Sequence, residues 1–180
     1  MGTLLYSATM SLDGFIAGPD GDMTWMAPFL APDPAIDALS AQTGALLVGR
    51  RTFGGGDPYE GTEGEGEAFG GGWSGPQFVL THDPPREAPP DVTFVSDLRA
   101  GVDAALAAAG DKLVNVLGAD VARQCLEAGL LDEVFVGIAP VLLGDGVRLF
   151  DHPGGTTVRL ERIDAALSAP ATNLRFRVVR

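Results

Sequence analysis

The sequence predicts an α/β domain on a mixed, mostly parallel central sheet, with helices on both faces and an antiparallel C-terminal edge. Three observations predict it. Short apolar runs of strand length alternate with helical patterns through the first three quarters of the chain, the order that builds strand-helix-strand units. The last quarter carries two strand-like stretches and no helix, which suits an antiparallel pair. Neither an internal repeat nor a linker divides the 180 residues, so the reading is a single domain over 1–180.

Residues 3–10 (TLLYSATM) form an apolar run too short for a helix, ended by Ser11-Leu12-Asp13-Gly14, and read as a buried strand and a turn, with an Asx bond from Asp13 holding it. Residues 14–22 (GFIAGPDGD) are turn formers that retain Phe15 and Ile16; the segment reads equally as a lid over a ligand or as a plain connection. Asp33 is placed to cap a helix that Pro34 opens, Ile36 and Leu39 line, and Gly44 stops. Residues 45–48 are a second strand. It runs into Gly49-Arg50-Arg51-Thr52-Phe53, a turn into a helix that carries two guanidinium groups and a hydroxyl.

Composition then breaks. Residues 54–75 are glycine-rich and acidic, with Tyr59, Phe69 and Trp73 as the only anchors, and read as a long mobile surface loop, either an active-site cover or a tolerated insertion. Strands follow at 77–81 and 92–95. Ser96 or Asp97 caps an alanine- and leucine-rich helix over 98–109 that Gly110 ends. Residues 113–117 are an apolar strand that turns through Gly118-Ala119-Asp120 into a helix stopped by Gly129, and Asp132-Glu133 lead into the next strand as capping or arginine-pairing groups. Two closing strands, 156–166 and 172–179, meet near Ser168-Ala169-Pro170.

The junctions at Gly49 and Gly118 carry the chemistry. A strand that ends in a glycine turn and opens a helix presents free N–H groups and the positive end of the helix dipole at one point, which suits a phosphate. Both junctions fall at the carboxyl ends of predicted parallel strands, where open α/β sheets place ligands, and two of them on one edge fit a diphosphate. Either is also readable as a tight turn that packing requires.

Composition and motif content exclude several alternatives. A net charge of −12 with 12 basic residues opposes nucleic-acid binding, which needs clustered cations. No run of about 18 apolar residues is present to span a membrane. One cysteine and no leader pattern point to the cytoplasm. No H-x-x-x-H, C-x-x-C or G-K-[ST] occurs, so metal-hydrolase and P-loop chemistry have no residues to use, and no metal site is expected. Gly144-Asp145-Gly146 precedes a strand-like segment instead of a helix and reads as a hairpin turn. His82 and His152 read as solvated, and Cys125 as a buried inert thiol.

Six motifs in order, SLDG at 11–14, LVGRRTF at 47–53, VLT at 79–81, GLLDE at 129–133, APVLLG at 139–144 and NLRFRV at 173–178, resemble the dihydrofolate reductase-like superfamily. More narrowly, they look like the C-terminal reductase domain of the riboflavin-biosynthesis deaminase/reductase. The resemblance implies a dihydrofolate reductase-like fold, a homodimer, NADPH as cofactor and hydride transfer to a small molecule. It implies that Gly14, Phe15, Ile16 and Ala17 belong to a mobile loop closing over the nicotinamide. Gly49, Arg50, Arg51 and Thr52 match the turn at the cofactor phosphates, with Arg50 opposite the 2′-phosphate. Thr81 and His82 fall on the adenosine side, and Gly118, Ala119, Asp120 and Val121 match the pyrophosphate turn.

On the substrate side the resemblance offers Asp57, in a D-P pair, as a contact, and Asp33, with Asp37 beside it, near the acidic position that dihydrofolate reductases use for protonation. The chain departs from the family in having a single glycine, Gly118, after Leu117 at the pyrophosphate turn, with no glutamate before it. Implied substrates, in order, are a ribosylated pyrimidine of flavin synthesis, a dihydropterin, and another small imine or carbonyl. A nucleotide-binding protein without turnover is the rival reading.

Overall fold

The computed structural model describes residues 2–167 and 171–180; the junction expected at 168–170 lies outside the described residues. Ten strands and four α-helices follow in chain order: β1 (Leu4–Ser11), β2 (Phe15–Ala17), α1 (Pro34–Gln42), β3 (Thr43–Gly49), α2 (Arg50–Phe53), β4 (Gln77–Leu80), β5 (Val92–Val95), α3 (Leu98–Ala109), β6 (Leu113–Leu117), α4 (Ala119–Glu127), β7 (Glu133–Ala139), β8 (Val147–Arg148), β9 (Arg159–Leu167) and β10 (Thr172–Val179). Eight strands form one sheet in the order β5-β4-β3-β6-β1-β7-β10-β9, and β2 pairs with β8 in a small second sheet. From β5 to β7 every pairing is parallel, and β10 is antiparallel to both β7 and β9. The expected mixed sheet with an antiparallel C-terminal edge is therefore present.

Side-chain alternation divides the core into two layers. Leu4, Tyr6, Ala45, Leu47, Val114 and Val116 point to the face covered by α3 and α4, with Val102, Ala105, Val121 and Cys125. Burial pushes the Cys125 thiol up to about 12, so it is neutral and unreactive. On the opposite face Leu5, Leu113 and Phe135 pack under Leu39 of α1.

The rest of that second face lies beyond α1, and Phe53 at the end of α2 packs on part of it. Leu46, Val48 and Val79 are also covered by Ala68, Phe69 and Trp73 from the glycine-rich segment. Trp73 also donates its indole N–H to Thr43 O at 3.0 Å, and Ser40 Oγ donates to Gly72 O at 2.9 Å. This stretch, expected to be a surface loop, is mostly exposed, but three of its side chains pack partly buried on the core.

Several boundaries differ from the sequence reading for local reasons. The expected helix stop at Gly44 is in fact the second residue of β3; it is glycine because a Cβ there would lie 2.6 Å from Ala109 O at the end of α3. The last long strand before the C-terminal one begins at Arg159, not at 156. Gly144-Asp145-Gly146 is not a hairpin turn, because β7 pairs with β1 and β10, whereas β8 crosses to β2. Asp33 and Asp97 cap α1 and α3 as expected, accepting from Ala35 N at 2.9 Å and Ala100 N at 2.8 Å. Asp132 pairs with Arg180 at 2.9 Å and Glu133 with Arg175 at 2.7 Å, the structural roles read from their turn.

Candidate functional site

β1 lies at the switch point of the sheet, with β3 to β6 on one side and β7, β10 and β9 on the other. Its pairing with β6 covers only Leu4 to Tyr6 against Val114 to Val116. Beyond that point β1 continues to Ser11 bound to β7 alone, and β6 continues to Leu117 bound to β3 alone. The sheet is thus split at its carboxyl edge.

Burial along β1 records the split. Leu4, Leu5 and Tyr6 are 0–1% exposed, whereas Ser7, Ala8, Thr9 and Met10 are all half-exposed although they belong to a central strand. Such a gap at a topological switch point is where open α/β sheets bind ligands.

The two glycine junctions meet beside the gap. β3 and β6 are neighbours, so Gly49 and Gly118 turn away from the sheet side by side. Gly118 has φ +108°, and a Cβ on it would stand 2.6 Å from Thr52 Oγ1. Only glycine fits there. No side chain caps the starts of α2 or α4, so their first N–H groups face the junction unassisted. Arg50 and Arg51 are exposed at this point and make no ion pair with a carboxylate among the described residues. Arg51 is close enough to Asp120 to help keep it ionised, after the larger effect of the hydrogen bond from Arg123.

The remaining expected cofactor residues divide by what their side chains already do. Thr81 follows β4, and its Oγ1 accepts from Asp83 N at 3.1 Å. His82 beside it is exposed. The Asp120 carboxylate is taken up by Arg123 at 2.7 Å and Gln124 at 2.8 Å, so only its backbone N–H points to the turn. Val121 is buried and backs Gly49 at 3.2 Å from where its Cβ would be. His152, expected to be solvated, pairs with Glu127 at 3.0 Å.

The segment after β1 is more ordered than a free lid. Phe15 and Ala17 pair with Arg148 and Val147, and the Arg148 guanidinium stacks 4.6 Å from the Phe15 ring centre. Asp13 makes no Asx turn. Its carboxylate accepts from Ser11 Oγ at 2.6 Å and from Leu143 and Gly144 N–H at 3.1 and 2.8 Å, tying the loop after β1 to the loop after β7. These bonds, that from Ser11 first, hold its pKa at about 2.

On the α1 face of the gap, Asp33 is 5% exposed, and its second oxygen accepts from Asn173 Nδ2 at 2.7 Å. Asn173 Oδ1 and Thr9 Oγ1 both approach Gly137, at 3.1 and 3.3 Å from where a Cβ would sit. Asp33, Asn173 and Thr9 therefore form one polar group around the half-open part of β1. Asp37 lies a turn further on, exposed. Asp57 is spent within its own loop, accepting from Tyr59 N at 2.8 Å and from Gly66 N. Asn115 is wholly buried in β6, one residue from the split, and neither end of its amide has a hydrogen-bond partner among the described residues. Such an orphan amide is uncommon in a native core.

Sequence reasoning missed Ser7, Thr9, Asn115 and Asn173. A signal existed for the first two: Ser7, Thr9 and Ser11 recur at period two in a run otherwise read as apolar, which marks one face of the strand as polar.

The family described as the RibD C-terminal domain matches residues 3–170. The chain belongs to the RibD C-terminal domain family. YwjB of Bacillus subtilis strain 168, an uncharacterised protein, is 27% identical over 155 residues, 82% of each chain. Among solved structures, a candidate riboflavin biosynthesis protein from Shewanella sp. PV-4 superposes with TM-score 0.75 at 24% identity over 99% of both chains. The deaminase/5-amino-6-(5-phosphoribosylamino)uracil reductase of Thermotoga maritima gives TM-score 0.67 at 18% identity; the match covers 99% of this chain and 57% of that one. A pyrimidine reductase-like protein of Corynebacterium diphtheriae gives 0.65 at 18%, over 99% and 92%. At these identities the structural likenesses speak for the fold, and this RibD C-terminal-type domain has the dihydrofolate reductase-like architecture its motifs implied.

Proposed function

We propose that this protein is an NADPH-dependent reductase that transfers a hydride to a small C=N or C=O substrate, with a ribosylated pyrimidine first among candidates and a dihydropterin second. The observation that carries the reading is the split between β1 and β6 directly beside the paired Gly49 and Gly118 turns. A flat ring fits an opening in a sheet edge, and a diphosphate fits two adjoining helix starts.

When bound, NADPH supplies the hydride from C4 of its nicotinamide. The residues of the chain do the rest. The N–H groups of Ala119 to Val121 and the Thr52 hydroxyl are suited to the pyrophosphate, and Arg50, with Arg51 beside it, to the 2′-phosphate. The half-buried part of β1 backs the ring, and the Asp13-pinned loop with Phe15 excludes water from it. Asp33 sits where a carboxyl can orient the substrate or move a proton. Holding the reacting carbon within about 3–3.5 Å of the donor supplies much of the acceleration.

Dimerisation belongs to the same proposal. Leu160 and Leu167 of β9, 48% and 88% exposed, share a sheet face with Leu174 and Phe176 and suit a second copy of the chain. Sedimentation at micromolar concentration reads this directly.

The decisive experiment is a thermal-shift titration with NADPH, NADH and NADP⁺. A ligand of the folded state adds RT ln(1 + [L]/Kd), about 2.7 kcal/mol at a hundredfold excess, which is several degrees here. NADPH should outdo NADH; no shift with any of them would refute cofactor binding.

A further inference from the structure

The amino edge of the sheet, opposite the cleft, holds a cavity of its own. It measures about 540 Å³, a volume typical of small-molecule sites. One wall is the face of α1 that carries Asp37 and Ser40, and the other is the end of the glycine-rich segment with Phe69 and Trp73. Gly44, with Lys112 just before β6, makes the floor. β3 runs seven residues from Thr43 in this cavity to Gly49 at the cofactor junction, and at about 3.3 Å per residue its two ends lie roughly 20 Å apart.

The walls are fixed before any ligand arrives. Ser40 Oγ donates to Gly72 O at 2.9 Å and the Trp73 indole N–H to Thr43 O at 3.0 Å, so the segment is tied both to α1 and to β3 and the indole plane is held. Phe69 has φ +54°, a left-handed value that is costly for an aromatic residue, and Gly70 and Gly71 follow at +62° and +86°. On the floor, the register of β3 against β6 slips between Thr43 and Ala45, and pairing with β4 starts only at Leu46, which leaves Gly44 outside both ladders. Backbone strain and bulges of this kind collect where a chain shapes a binding site.

The lining also has a definite charge pattern. Asp37 and Lys112 are exposed, and among the described residues neither forms an ion pair with the other or with a third group. α1 ends at Gln42 and α3 at Ala109, both beside this cavity, and the carboxyl ends of helices favour a cation. Lys112 supplies the opposite charge for an anion. The half-buried rings of Trp73 and Phe69 offer aromatic surface for a ring to pack on.

We propose that this amino-edge cavity binds a free aromatic amino acid, with its carboxylate on Lys112, its ammonium group toward Asp37 and the helix ends, and its ring against Trp73. A ligand with a single charge leaves one of the two side chains facing a like or absent charge, whereas a zwitterion answers both. The assignment is independent of the reductase reading, because none of the residues at the Gly49 and Gly118 turns lines the cavity.

Calorimetric titration of the protein, with and without saturating NADPH, against L-phenylalanine, 3-phenylpropionate and phenethylamine tests this. L-Phenylalanine should bind equally in both conditions, and each singly charged analogue at least tenfold more weakly. Lys112→Gln should weaken L-phenylalanine at least tenfold and spare phenethylamine; Asp37→Asn should weaken it as much and spare 3-phenylpropionate. Both side chains are exposed, and unchanged melting temperatures would show that both variants fold. Failure of L-phenylalanine, L-tyrosine and L-tryptophan to bind at millimolar concentration overturns the proposal. So does equal binding of either analogue, or indifference to either substitution. Displacement of the amino acid by NADPH would put it in the cleft and overturn the site. The reductase reading is untouched by all of these results and falls on a separate one, absence of any NADPH shift.

Discussion

Thr52 Oγ1 occupies the space that the first atom of a side chain on Gly118 would need, 2.6 Å from its position. The two strand ends are therefore locked together by an absence, and Gly118 also holds φ +108°, a conformation open to glycine almost alone. Gly118→Ala should cost about 1–3 kcal/mol in backbone strain, which lowers Tm by several degrees. It should also push Thr52 out of the junction and weaken NADPH at least tenfold. Adding Thr52→Ala should relieve the clash but not the strain. Full recovery of Tm in the double variant would mean that contact alone dictates the glycine.

Among the described residues, Arg50 and Arg51 at the paired turns form no salt bridge, although Arg51 is near enough to Asp120 to act on its charge. Arg50→Ala should weaken NADPH about tenfold, a charge-assisted contact being worth roughly 1.5–3 kcal/mol before solvent screening reduces it, and leave NADH nearly unchanged. Titration by fluorescence at low and high salt checks this. An equal loss for both cofactors would remove Arg50 from the 2′-phosphate.

How far the sequence was legible depends on the range of the interaction. Capping at Asp33 and Asp97, the limits of α3, the turn at Gly118 and the strand at 172–179 were readable because each is decided within about one turn of the chain. The split between β1 and β6 was not, because apolar patterning says which residues are buried and nothing about where a parallel pairing stops. Asp13 was misread for a similar reason. A D-G turn has a local hydrogen-bonding solution, and the Ser11 hydroxyl with the N–H groups of Leu143 and Gly144, 130 and 131 residues away, won over it. The glycine-rich segment looked like surface by composition and most of it is exposed, but Ala68, Phe69 and Trp73 fold back onto buried Leu46, Val48 and Val79, a long-range contact that composition does not show.

Asp13 should make loop closure sensitive to acid. Its folded pKa, about 2, lies below the ordinary 3.8, so its contribution is fully present above pH 4 and is lost as pH falls toward 2. Asp13→Asn has no such titration, and its amide cannot accept from Ser11, Leu143 and Gly144 as the carboxylate does. Between pH 4 and 2 the wild-type Tm should therefore fall more steeply than that of the variant, while at pH 7 the variant starts lower. Parallel curves would place the acid sensitivity elsewhere.

Asp33 has two separable jobs, and two substitutions separate them. As N-cap of α1 it accepts through Oδ1 and as partner of Asn173 through Oδ2, so asparagine, with one side-chain oxygen, keeps the cap but sets its NH2 against the Asn173 Nδ2 donor. Asp33→Asn should therefore lose the bond to Asn173, roughly 1–3 kcal/mol of stability, and still fold, whereas Asp33→Ala loses the cap as well, about 1 kcal/mol more. The carboxyl proton is what asparagine cannot supply. If Asp33 moves a proton during reduction, Asp33→Asn should lower kcat by about 10²–10⁴ with the cofactor affinity retained, the usual worth of a positioned acid, and flatten the dependence of kcat on pH. A folded Asp33→Asn protein with wild-type kcat and pH profile would leave the residue only its structural role and assign the proton to water.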